Sequence, residues 1–133
     1  MPQALVIFYK ERDGRVPVLE WLQQLKKSDP KGFANCVARI KQLQENGYEL
    51  RRPASDYLRD GIRELRANHR NVQYRMLYFF QGENIVIIVN SLIKKSSEVP
   101  ERDIEKAIEG KENFESDPIN HSYSGGLEDE ENN

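Results

Sequence analysis

The chain has 133 residues, 38% of them hydrophobic and 32% charged, enough for one hydrophobic core and too few for two ordinary ones. No apolar run approaches the roughly 20 residues of a spanning helix, and the start, MPQALVIFYKERDG, lacks a basic n-region and a small-residue cleavage site, so the cytoplasm is the default compartment. A single cysteine, Cys36, excludes an internal disulfide, and with only His69 and His121 beside it an ordinary closed zinc site lacks ligands; neither metal nor cofactor is expected.

Ala4 to Tyr9 is a short β-branched and aromatic run closed by an Asp13-Gly14 turn signal, and it reads as a strand. From Pro17 a helical period places Val18, Leu19, Trp21, Leu22 and Leu25 on one side and stops near Asp29-Pro30. Asp29 then caps a second helix, with Pro30 at its first position and Phe33, Cys36, Val37, Ile40 and Leu43 on its apolar stripe, and Asn46-Gly47 ends it. A polar link from Tyr48 to Tyr57 leads into three strand-like segments, Gly61 to Ala67, Val72 to Phe80 and Ile85 to Ile93, joined by connections of hairpin length. Pro100 opens a last helix that is rich in glutamate. The expected fold is α+β in the order β-α-α-β-β-β-α, a helical hairpin packed on a mainly antiparallel sheet. It forms one domain over residues 1–115, followed by an acidic, mobile tail over 116–133.

The net charge of −2 hides a segregation: residues 1–50 carry 8 basic and 6 acidic groups, residues 51–95 carry 9 and 4, and residues 96–133 carry 3 and 12. The basic excess coincides with the strand-rich middle. If Ala67 pairs with Val72 and Phe80 with Ile85, then Glu64 faces Arg75, Arg66 faces Gln73, Arg75 faces Asn90 and Leu77 faces Ile88. One face thereby gathers Glu64, Arg66, Gln73, Arg75 and Asn90, with Lys94 and Lys95 nearby and Leu77, Phe79, Val86 and Ile88 farther along. The set is either a solvated group of cross-strand ion pairs or an oxyanion clamp, since arginine offers a bidentate fork. His69, on the first hairpin loop beside Arg70, is either a turn residue or an acid–base group. The stripe Tyr74, Met76, Tyr78 and Phe80 occupies the opposite face and is expected to pack on the helices.

The run Leu58 to Arg66, the run Val72 to Phe80, and Lys94-Lys95-Ser96-Ser97-Glu98-Val99-Pro100 with Glu105 and Ala107 beyond resemble the RelE/ParE toxin superfamily over about residues 3 to 115, and within it the phage-derived, HigB-like branch. That resemblance implies the toxin of a type II toxin–antitoxin module, a ribosome-dependent endoribonuclease that cuts messenger RNA by attack of a 2′-hydroxyl on the adjacent phosphate. It implies that Arg66 and Arg75 hold the scissile phosphate, that Lys94 or Lys95 neutralises the leaving oxygen, and that Arg63, Arg70, Gln73 and Asn90 contact flanking RNA. Related sequences often carry a histidine where this chain has Asn90, and a tyrosine where it has Glu98 to Glu101, so Glu64 or His69 would have to supply the base. The implied partners are a helix-turn-helix antitoxin, the ribosome and its mRNA. A ParE-like gyrase poison and an inactive phage-derived accessory protein are the alternatives.

Overall fold

A computed structural model describes residues 3–123 and 125. The first strand, β1 (Leu5–Tyr9), is followed by two helices, α1 (Pro17–Ser28) and α2 (Pro30–Asn46). Proline stands at the first helical position of both, where its missing N–H removes only an orphan donor. Asp29 ends α1 and begins α2, its carboxylate accepting a 3.0 Å hydrogen bond from the Gly32 N–H. Gly47, at φ 55°, closes α2.

Four strands and a third helix follow: β2 (Ser55–Arg59), β3 (Ile62–His69), β4 (Val72–Gln81), β5 (Ile85–Lys94) and α3 (Glu101–Ser116). A two-residue strand, β6 (Ser122–Tyr123), completes a sheet of order β2-β3-β4-β5-β1-β6, antiparallel except where β1 runs parallel to β5. Alternation along the strands sends side chains into two cores. Tyr74, Met76 and Tyr78 join Phe8, Leu22, Ile40, Leu43 and Leu65 beneath the α1–α2 hairpin, as the stripe predicts. Leu77, Phe79, Ile87 and Val89 pack against Ile104, Ala107 and Phe114 of α3. Among the described residues no helix is long and apolar enough to cross a membrane.

Four details differ from expectation. The supposed polar link ends inside β2, whose charged sequence hides a strand that exists because β3 offers it a ladder across a turn with both Asp60 and Gly61 at positive φ. The β3–β4 connection is only Arg70-Asn71, both left-handed, which pairs His69 with Val72 and moves the ladder by two residues. Glu64 therefore lies opposite Leu77 and Arg66 opposite Arg75. The β4–β5 ladder starts with Gln81 opposite Ile85 and slips between Leu77 and Tyr78, so Arg75 faces Leu92, Gln73 faces Lys94 and Leu77 faces Asn90. The odd starting offset turns Val86 and Ile88 toward the helical hairpin, away from the face assigned to them. The slip returns Asn90 to the α3 side.

The fourth difference lies after α3. A short 3-10 turn, Ile119–His121, brings the chain back so that β6 pairs with β1. His121 is buried, stacks on Tyr9 at 5.2 Å between ring centres, and donates from Nδ1 to the Lys10 carbonyl at 2.8 Å. The segment read as tail from residue 116 thus packs on the domain as far as Tyr123. The rest of that expected tail, apart from Gly125, lies outside the described residues.

Candidate functional site

A two-residue shift of register keeps every side chain on its face, because strand periodicity is two. Glu64, Arg66, Gln73 and Arg75 accordingly still meet. Glu64 Oε1 accepts from Arg75 Nε at 2.7 Å and from Arg66 Nε at 3.0 Å. Arg75 spends its other nitrogens on the Tyr74 carbonyl at 3.0 Å and on Gln73 Oε1 at 2.8 Å. Its side chain is only 5% exposed, and burial pulls its pKa below the ordinary arginine value while Glu64 opposes that pull. Arg75 is a brace behind the site rather than a group open to a ligand.

Arg66 is different, with 28% of its side chain exposed. Its second nitrogen lies 3.3 Å from Asp56, which in turn takes two hydrogen bonds from Arg52, at 3.0 and 2.7 Å. Asp56 and Glu64 are ladder partners across β2 and β3, a pairing of like charges that Arg66 bridges. Arg52 holds the Asp56 carboxyl below its ordinary pKa.

These residues form one wall of an open groove of about 430 Å³, completed by Lys94 from the end of β5, by Arg59, by Ser97, Glu98 and Val99 in the link before α3, and by Glu101 and Ile104 in its first turn. Arg59 ties the walls together by ion pairs to Asp60 and Glu101. Four cations, Arg52, Arg59, Arg66 and Lys94, face four carboxylates, Asp56, Glu64, Glu98 and Glu101, so the groove attracts anions through individually aimed donors and not through net charge. Among the described residues Glu98 is the groove carboxylate without an ion-pair partner.

The remaining candidates are scattered. Lys95 follows β5, exposed and outside the groove lining. Asn90 is buried beneath α3, where Nδ2 donates to the Asp103 carbonyl at 3.1 Å and Oδ1 has no partner. It lines a separate cavity of about 100 Å³ beside Tyr9, Lys106 and Asn113, large enough for a water to satisfy that oxygen. His69 points to the opposite face and donates from Nδ1 to Asp29 at 2.9 Å. Arg70 is an exposed turn residue. Arg63 lies against Tyr57 on the α2 side of the sheet. Among the described residues no group of three His, Cys, Asp or Glu side chains could hold a metal ion.

Arg52, Asp56, Arg59, Glu98 and Glu101 were not singled out from the sequence as site residues. The Arg51-Arg52-Pro53 and Arg59-Asp60-Gly61 runs were the available signal, but without the edge strand nothing placed them beside Arg66. A family model described as phage derived protein Gp49-like matches residues 20–112. No curated protein matches the chain significantly.

Proposed function

We propose, from the premise that the chain belongs to the phage-derived Gp49-like family of RelE/ParE-like toxins, that it is the toxin of a two-gene module of the HigB-like kind and cuts messenger RNA on the ribosome in the bacterial cytoplasm. The observation that carries this reading is the guanidinium of Arg66, oriented by Glu64 and Asp56 yet still partly exposed in a groove it shares with Lys94. A preorganised donor of this kind stabilises charge that builds on phosphate oxygens in the transition state.

In this mechanism the ribose 2′-hydroxyl attacks the adjacent phosphorus. The bond to the 5′ oxygen breaks, leaving a 2′,3′-cyclic phosphate and a 5′-hydroxyl. Arg66 binds the non-bridging oxygens, and Lys94 neutralises the leaving oxygen, which takes its proton from solvent. Glu98, unpaired across the groove, receives the 2′-hydroxyl proton; its placement favours it over His69, which is engaged with Asp29 on the other face. Arg75 and Gln73 act behind the surface by fixing Glu64. A helix-turn-helix antitoxin would silence the protein by covering this groove.

Induced expression in bacteria, with and without Arg66→Ala, followed by mapping of mRNA 5′ ends, tests the reading. Growth arrest with new 5′ ends inside translated codons is expected from the wild type. Both should be lost in Arg66→Ala, and Glu98→Gln should slow cleavage about 100-fold. Intact transcripts during arrest would overturn the ribonuclease reading. Inhibition of supercoiling by purified gyrase would replace it with a gyrase poison.

A further inference from the structure

On the opposite side of β2 from the groove, Leu50, Arg51, Arg52, Asp56, Tyr57 and Arg63 line a second concavity of about 410 Å³. Its charge differs from that of the groove. Three arginines meet one carboxylate, Asp56, which is already engaged by Arg52 and Arg66. Among the described residues no carboxylate pairs with Arg51 or Arg63. Such cations keep their full attraction for an incoming anion.

Tyr57 stands in the middle of this patch and is 51% exposed. The ring is nonetheless held in place. Its hydroxyl accepts a 3.0 Å hydrogen bond from the Gly61 N–H, and the guanidinium of Arg63, its ladder partner, lies 5.4 Å from the ring centre. An exposed aromatic ring pinned through its hydroxyl and flanked by arginines that lack carboxylate partners is an arrangement that binds single-stranded nucleic acid: the ring takes a base and the arginines take phosphates. Leu50 is the aliphatic residue of the lining.

Arg52, Asp56 and Tyr57 border both concavities, so β2 is the ridge between them. We infer that a single-stranded RNA lying in the Arg66 groove continues over β2 and that Tyr57, Arg51 and Arg63 form a subsite for a flanking nucleotide, its base stacked on Tyr57. This rests on the reading of the groove as an RNA site and adds to it a stacking residue.

The test uses the full chain and a fluorescein-labelled, 4-thiouridine-containing RNA 12-mer, with affinity read by anisotropy over a salt series. Tyr57→Ala should weaken binding by roughly 10-fold, about the effect of losing one stacked base, while Tyr57→Phe, which keeps the ring, stays near wild type. Arg63→Gln should lower the slope of log affinity against log salt by about 0.7, one phosphate contact for a single strand. Photocrosslinking should label the peptide that carries Tyr57. Affinity that falls in Arg66→Gln but not in Tyr57→Ala or Arg63→Gln would overturn the subsite alone. Tyr57-dependent binding without cleavage in cells would overturn the enzymatic reading alone. No binding at low salt would overturn both, and variants that lose only the antitoxin would assign the face to protein.

Discussion

Glu64 accepts a 2.7 Å hydrogen bond from Arg75 Nε although the two are not ladder partners: Glu64 lies opposite Leu77, and Arg75 opposite Arg66. The contact is diagonal, and it places a carboxylate that is 5% exposed between two guanidiniums. Replacing Glu64 by leucine leaves Arg75 charged and buried without its main partner. The expected loss is about 3 kcal/mol, or roughly 10 °C in thermal midpoint, read by circular dichroism. The double variant Glu64→Leu/Arg75→Met should recover much of that loss, because a matched apolar pair needs no counter-charge. If the single variant melts with the wild type, the pair is not the brace described.

Asp29 offers a pH-dependent contact on the other face. Its carboxyl sits below the ordinary pKa, first through the 2.6 Å hydrogen bond from the Tyr74 hydroxyl, then through the Gly32 N–H, with His69 adding to the effect. A carboxyl whose folded pKa is depressed contributes stability present above its unfolded value near 3.9 and lost as pH falls through the folded value. Urea midpoints measured downward from about pH 5 should fall less steeply in Asp29→Asn than in the wild type. Burial and Asp29 push the Tyr74 hydroxyl up to about 12, so the stability tied to its neutral form should persist at pH 10 and fade as pH rises toward 12. Tyrosinate absorbance of wild type against Tyr74→Phe would show that late titration.

The β3–β4 turn carries two non-glycine residues at positive φ, Arg70 at 50° and Asn71 at 70°. Two-residue hairpin turns of this hand favour Asn-Gly. The variant Arg70→Asn/Asn71→Gly should gain about 1 kcal/mol, seen as a higher urea midpoint at unchanged slope. Asn71→Ile should lose at least as much. Neither change should alter cleavage if the groove is the active site.

His121 links the end of the described chain to β1 through Tyr9 and the Lys10 carbonyl. Truncation after Ser116 would uncover the Tyr9 ring and leave that carbonyl to solvent. A loss of about 1–2 kcal/mol is expected, and faster amide exchange should be confined largely to β1. His121→Phe, which keeps the stack and loses the hydrogen bond, should fall between truncation and wild type.

Local pattern was sufficient for much of this architecture. Both early helices were legible because Pro17, Asp29-Pro30 and Gly47 mark their ends and the i, i+3, i+4 stripes mark their buried faces. The central strands were legible because their runs are dense in β-branched and aromatic residues. The edge strand β2 was not, because Ser55-Asp56-Tyr57-Leu58-Arg59 owes its strand state to β3 and to the Asp60-Gly61 turn. Nor was β6, whose two residues are held through His121 by a ring more than a hundred positions away.

The site divides in the same way. Strand alternation and a hairpin register of the right parity put Glu64, Arg66, Gln73 and Arg75 on one face, and a ladder displaced by two residues left that grouping intact. Which of them reaches solvent was beyond alternation, since exposure depends on what packs above the face: Arg75 is sealed in by its own hydrogen bonds, whereas Arg66 opens on the groove between β2 and α3. The odd offset at the β4–β5 loop and the slip beside Leu77 decided where Val86, Ile88 and Asn90 point, because one residue of displacement reverses a strand's faces. The sequence by itself therefore determined the helices, the central strands and the residues sharing the polar face; the tertiary structure decided the edge strands, and which of those charges is a brace and which is free to meet a phosphate.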